Sequence, residues 1–294
     1  MKNTFGCLVT AMATPFDQSF RVDYDKVAEL AELLLEKGSD SLVVSGTTGE
    51  SPTLSDEEKF NIYKTVVDTV KGRIKVIAGT GGSSTQKSVE MSRKAEEIGV
   101  DGLMLVTPYY NKPPQEGLYH HFKSIADAVS LPIMLYNVPG RTVINLSLET
   151  TLKLAEIENI VSIKEASGNL EQITYICKGA PDGFDVYSGD DSMTLPILSV
   201  GGKGVVSVAS HLLGPEIKRM ITSFFDGNIS ESRNIHQQLM PLIKALFMTT
   251  SPIPLKAALQ MTGMEVGNPR LPLMPLPENM IIELKSVLQK YGLV

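Results

Sequence analysis

In the run 160–168, IVSIKEASG, a lysine stands where a buried strand would carry another aliphatic residue. An ammonium is costly in a partly dry pocket, and the neutral amine that burial favours attacks carbonyl carbon. The resulting protonated imine is an electron sink, so it acidifies the neighbouring C–H and permits an enamine. Making and breaking such an imine requires proton transfers, which a tyrosine can carry. Tyr136, in YNVPGRT, and Tyr109 and Tyr110, in TPYYN, are available, as are Thr47 and Thr48 in GTTGE. Lysine, tyrosine and threonine converging on one pocket suit a metal-free aldolase or lyase.

Such convergence needs a scaffold. Short aliphatic runs occupy 7–15, 41–47, 75–81, 102–108, 132–138, 160–166, 184–189 and 204–210. Helical patterns follow each, at 23–38, 55–72, 85–99, 115–129, 147–157, 169–179, 191–200 and 215–226. The second opens on the capping box Ser55-x-x-Glu58. Runs apolar throughout are parallel strands covered on both faces. Eight βα units predict an α/β fold, a closed (β/α)8 TIM barrel over 1–226. The competing open doubly wound sheet usually carries a glycine-rich loop after its first strand, and TPFDQSF has none. Residues 227–294 show three helical stretches, near 230–249, 253–262 and 276–291, without strand partners. They predict a small C-terminal helical domain packed on the barrel or on a second subunit.

Barrel chemistry gathers at the carboxyl ends of the strands. Strand parity puts Ile160, Ser162 and Lys164 on one face, Met134 and Tyr136 inward, and Val43, Ser45 and Thr47 inward. Plainer readings stand beside these. Lys164 could pair with Glu165, Tyr136 could be a satisfied core tyrosine, and Thr47 and Thr48 could merely shape a turn. GTGG (79–82) reads as a turn, while GDDS (189–192) with GGKG (201–204) offers a phosphate cradle.

His120, His121, His211 and His236 have no useful ligand spacing, so a metal-dependent aldolase is not expected. The net charge of −6 and the lack of a basic run argue against nucleic acid or an anionic membrane surface. Cys7 and Cys177 make no disulfide framework, and no apolar run is long enough to span a bilayer. With no signal-peptide pattern at the N-terminus, the expectation is a soluble cytoplasmic protein.

GTTGESPTL (46–54), VTPYYNKPPQEGLYHHF (106–122), YNVPGRT (136–142), IKEASG (163–168) and SGDD (188–191) occur in that order. Together they resemble the 4-hydroxy-tetrahydrodipicolinate (dihydrodipicolinate) synthase family of pyruvate-dependent class I aldolases, over essentially the whole chain. The resemblance implies condensation of pyruvate with aspartate 4-semialdehyde, the first committed step of lysine biosynthesis by the diaminopimelate route. It implies no cofactor beyond the imine itself. It assigns the imine to Lys164, proton transfer to Tyr136, and a relay to Thr47 and Tyr110, the latter reaching across a subunit interface. It also assigns the pyruvate carboxylate to Thr48, a backbone contact with pyruvate to Val206, and the semialdehyde carboxylate to Arg141. Gly189 is placed beside that pocket, and the implied assembly is a homotetramer of two tight dimers.

Arg141 is what sialic acid lyases and sugar-acid aldolases of the same superfamily usually lack, and a guanidinium suits a small carboxylate-bearing aldehyde. Those lyases, and a non-catalytic metabolite-binding relative, are the competing readings. Feedback-sensitive bacterial members of the family typically carry histidine, histidine, asparagine and glutamate at the positions of Asp56, Lys59, Ser83 and Lys87. With Lys87 in place of an anion, weak or absent lysine inhibition is expected.

Overall fold

The computed structural model describes residues 5–294. In chain order the elements are β1 (Leu8–Ala11), α1 (Tyr24–Glu36), β2 (Ser41–Val44), α2 (Asp56–Val70), β3 (Lys75–Gly79) and α3 (Thr85–Ile98). Then come β4 (Gly102–Val106), α4 (Gln115–Ala126), β5 (Ile133–Asn137), α5 (Pro139–Thr142), α6 (Leu148–Ala155), β6 (Ile160–Glu165) and α7 (Leu170–Gly179). The chain continues through β7 (Asp185–Ser188), α8 (Thr194–Ser199), β8 (Gly204–Ser207) and α9 (Ser210–Phe225). It ends in α10 (Ile229–Leu246), α11 (Ile253–Met261) and α12 (Glu278–Lys290). Each strand pairs in parallel with the next, and β8 returns to β1 with Val206 opposite Val9. This is the expected closed (β/α)8 barrel, followed by helices.

The strands are buried on both faces, which explains their unbroken aliphatic character. Side-chain caps start the barrel helices: Asp23, Ser84, Ser147 and Asn169 each accept a backbone N–H from the first turn. Ser55 and Glu58 form the predicted reciprocal box. Two apolar layers result. Val9, Val43, Ile77, Met104, Met134 and Val206 fill the barrel, with Tyr136 at its upper end. The outward strand residues pack beneath the helices.

Four expectations need correction. Ile160 does not share the face of Lys164: it joins the helix-covered layer, and Val161 takes its place in the barrel interior. A register shift between Ile133 and Met134 inserts one extra residue into β6, so parity counted through it fails. Beyond it the parity of Ile163 and Lys164 holds. Second, β2 stops at Val44, because Ser45 turns into left-handed backbone with φ 52°. Thr47 therefore reaches the cavity from a turn and not from a strand. Third, the eighth helix begins at Ser210, with a kink at Leu213 ahead of Pro215. Fourth, the helix expected over 191–200 divides into a 3-10 turn, Asp191–Met193, and α8.

The C-terminal helices continue the outer layer. Leu239, Leu242 and Leu246 of α10 join it, and α10 lies along α9. No helix among the described residues is long and apolar enough to cross a membrane.

Two buried histidines set an acid limit on stability. His211 holds its neutral form by donating from Nδ1 to the Val208 carbonyl (2.9 Å) and accepting at Nε2 from the Ala13 N–H (3.2 Å). Burial lowers both His211 and His121 from 6.5 to about 4. Between those values the unfolded chain binds the protons, so this stability is full above 6.5 and disappears as pH falls toward 4. The loss at pH 5 is about 2 kcal/mol per histidine. Thermal midpoints should fall between pH 7 and pH 5, and His121→Phe should flatten the decline. An unchanged slope in that variant would show that His121 is not a titrating contributor.

Candidate active site

A cavity of about 230 Å³ opens at the carboxyl end of the barrel. Ser45, Thr47, Tyr109, Tyr136, Arg141 and Thr142 form much of its wall. Tyr136 is the penultimate residue of β5 and sits opposite Lys164 of β6 in the parallel register. Its carbonyl accepts the Thr107 N–H at 2.9 Å, which ties the β4 exit to this point.

Lys164 is 5% exposed, and its Nζ lies 4.2 Å from the centroid of the Tyr136 ring. No carboxylate pairs with it among the described residues. Glu165, its chain neighbour, has opposite parity. Its carboxylate accepts from Asn137 Nδ2 (3.1 and 3.2 Å), from the Ser167 N–H (2.7 Å) and from Gln172 Nε2 (3.4 Å). Burial raises the Glu165 carboxyl against these hydrogen bonds. The ion-pair reading of Lys164 fails on this geometry. What remains is a buried lysine nitrogen packed over the face of an aromatic ring, with no carboxylate beside it.

The surroundings of Lys164 are close-fitting. A Cβ on Gly189 would stand 3.1 Å from Lys164 Cγ and 2.7 Å from Ala166 Cβ, so only glycine leaves the lysine stem its path. Gly79 has the same role across the cavity, where a Cβ would stand 2.6 Å from the Ser45 carbonyl oxygen. Val206 belongs to the interior cluster that holds Tyr136.

Arg141 is presented by α5, a single turn that the sequence reading did not anticipate. Its N–H donates to the Val138 carbonyl at 2.9 Å, and its Nη2 donates to the Ser251 carbonyl at 3.4 Å. Thr142 anchors that turn, its hydroxyl lying within hydrogen-bond distance of the carbonyls of Val138 (3.2 Å) and Ile144 (3.0 Å). Of the eight expected site residues, Thr47, Tyr136 and Arg141 line the cavity, and Lys164 packs on one of them. Thr48 is buried in the Thr47 turn, outside the cavity wall.

Tyr110 is not brought to this cavity. It is 94% exposed and takes a left-handed φ of 73°. Both features are unfavourable for a bulky aromatic residue in isolation. The next residue fixes the loop: Asn111 donates from Nδ2 to the Ser83 carbonyl at 2.8 Å.

A second cavity, about 220 Å³, shares Ser51, Pro52, Gly79, Gly81 and Tyr109 with the first. Asp56, Lys59, Ser83 and Lys87 line it, and the Lys87 ammonium contacts the Asp56 carboxylate. Burial lowers Lys59, and the nearby Lys87 charge adds to the effect.

Sequence reasoning passed over Glu50 and Lys256, a fully buried ion pair behind the Thr47 turn, with Lys256 Nζ 2.9 Å from Glu50 Oε1. The signal was present, since Lys256 breaks an apolar helical run, IPLKAALQM, much as Lys164 breaks a strand.

Fold and cavity together define a barrel of the imine-forming aldolase class, with a buried lysine beside a tyrosine at the carboxyl mouth. The chain belongs to the dihydrodipicolinate synthetase family, whose profile matches residues 4–291. It is 57% identical over 271 residues to a 4-hydroxy-tetrahydrodipicolinate synthase of Halalkalibacterium halodurans, covering 92% of each chain. It is 56% identical to that of Bacillus subtilis, covering 97% of this chain and 99% of the relative. Among solved structures, a dihydrodipicolinate synthase from Bacillus anthracis superposes with a TM-score of 0.96 at 51% identity, over 97% of this chain and 98% of that one. The Cyanidioschyzon merolae enzyme with lysine bound gives 0.97 at 49% identity, over 99% of both chains.

Proposed function

We propose that the protein condenses pyruvate with aspartate 4-semialdehyde to give 4-hydroxy-tetrahydrodipicolinate, entering lysine biosynthesis by the diaminopimelate route. The observation that carries this reading is the buried, carboxylate-free Lys164 against Tyr136 at the mouth of the barrel. The Lys164 amine attacks C2 of pyruvate, and Tyr136 supplies the proton with which the C2 oxygen leaves as water. The imine loses a C3 proton to become an enamine. Its C3 attacks the aldehyde carbon of the semialdehyde, whose carboxylate Arg141 holds. The semialdehyde amino group then adds to the imine carbon, which closes the ring and releases Lys164. Thr47 relays the protons with Tyr110 from a neighbouring copy, Thr48 and the Val206 backbone hold pyruvate, and Gly189 keeps the Lys164 path open. No metal or organic cofactor takes part in these steps.

The remainder of the reading is a homotetramer of two tight dimers in the cytoplasm. Each chain has a catalytic barrel over 1–226 and a helical appendage over 227–294. The exposed, left-handed Tyr110 supports a site completed by a second copy.

Consumption of pyruvate with aspartate semialdehyde, coupled to the reductase that takes the product, tests the reaction. Cleavage of a sialic or deoxy sugar acid without that activity would instead mean another lyase of the superfamily. Arg141→Ala should lower kcat/KM for the semialdehyde by about 10–100-fold, the value of a charged hydrogen bond. The pyruvate adduct should still form, and an equal loss in adduct formation would remove Arg141 from its assigned role.

Lysine is not expected to inhibit strongly. In the second cavity the Asp56 carboxylate already meets Lys87, and Lys59 adds a further positive group. A free lysine would bring two more ammonium groups to a site with no spare anion. Strong inhibition by millimolar lysine would contradict this.

A further inference from the structure

The turn that carries Thr47 and Thr48 is held from behind by the C-terminal helices. Glu50 closes that turn: its N–H donates to the Thr47 carbonyl at 3.0 Å, and the Ser51 N–H donates to the Gly46 carbonyl at 3.2 Å. Ser45 and Glu50, at its two ends, both take left-handed backbone, with φ 52° and 55°. Two non-glycine residues in that region persist only where the surroundings impose it.

The Glu50 carboxylate supplies the constraint. Oε1 accepts from Lys256 Nζ on α11 at 2.9 Å, and Oε2 accepts the Arg270 N–H at 2.8 Å. Lys256 also donates to the carbonyls of Thr14 (3.0 Å) and Asn268 (3.2 Å) and stands 4.1 Å from the Phe16 ring centroid. The Thr14 hydroxyl donates back into the turn, to the Gly49 carbonyl, at 2.7 Å. Neither Glu50 nor Lys256 lines the cavity; their side chains are 0% and 1% exposed. A buried ion pair is often no more stable than an apolar pair of the same volume, so stability alone does not account for one here. What it provides is geometry: one ammonium draws residues 14, 50, 256 and 268 to a single point.

We propose that Glu50 and Lys256 are positioning residues, which hold the Thr47 turn against the cavity and make its geometry depend on the C-terminal helices. This rests on the proton-relay reading of Thr47 given above.

The test uses the full-length Glu50→Met/Lys256→Met protein, in which the pair becomes apolar at similar volume, beside Thr47→Val. The double variant should keep its thermal midpoint within a few degrees and still yield the pyruvate adduct under borohydride. Its kcat should fall by about tenfold or more, with KM for pyruvate within about threefold of the parent. Adding Thr47→Val to it should cost little more, since both changes remove the same function. A double variant with the parent's kcat, while Thr47→Val loses activity, overturns the positioning role. Thr47→Val with the parent's kcat overturns the relay reading first, and the positioning role with it. Should the double variant fail to fold, Glu50→Gln keeps an acceptor for the Arg270 N–H while removing the charge that holds Lys256, and an unchanged kcat there would also overturn the proposal.

Discussion

Lys164→Arg is expected to abolish the reaction, with kcat reduced at least about 10³-fold. The substitution separates two roles that any lysine in a strand end can have. Arginine keeps the positive charge and much of the length, so a structural cation would be served nearly as well. It cannot lose its proton at working pH and cannot form the imine. The 4.2 Å approach of Nζ to the Tyr136 ring is compatible with a guanidinium, so the variant should fold. An arginine variant with more than a tenth of parental activity would return Lys164 to a structural role.

Lys256→Met should be the most destabilising single change in the C-terminal helices, by about 3–5 kcal/mol. It leaves the Glu50 carboxylate buried with only the Arg270 N–H at hydrogen-bond distance. Burial lowers Lys256 to about 8 against the pull of Glu50. Glu50→Met in the same chain should restore most of the lost stability, because the apolar pair leaves no charge without a partner. The measurement is denaturant unfolding of the two single variants and the double. A Lys256→Met protein as stable as the parent would show that water or a rearranged partner compensates the carboxylate.

The two lysines mark how far the chain could be read without coordinates. Lys164 and Lys256 each interrupt an apolar run, and the run alone does not say which will find an anion. The partner of Lys256 lies 206 positions away along the chain. No local pattern carries a contact of that range, and Lys256 was passed over while strand parity and motif context singled out Lys164. The barrel itself was legible because eight doubly buried strands leave eight unbroken aliphatic runs, and because Ser55 and Glu58 mark a helix start chemically. Parity placed Tyr136 and Lys164 correctly, since both lie beyond the bulge. It failed at Ile160 and Val161, where one inserted residue inverts the count. Thr47 was found for an incomplete reason: counting along β2 pointed it inward, but the strand ends first and a left-handed turn delivers it. Arg141 depends on α5, a turn too short for any periodicity to reveal. Tyr110 stands apart, because it is exposed on its loop and lies outside the cavity wall.

Reductive trapping tests the central claim most directly. The protein is incubated with pyruvate and borohydride, digested, and its lysines are mapped by peptide mass spectrometry. One pyruvate-derived secondary amine is expected, on Lys164, and none on Lys256, the other buried lysine among the described residues. Absence of an adduct, or an adduct on a lysine other than Lys164, would contradict it.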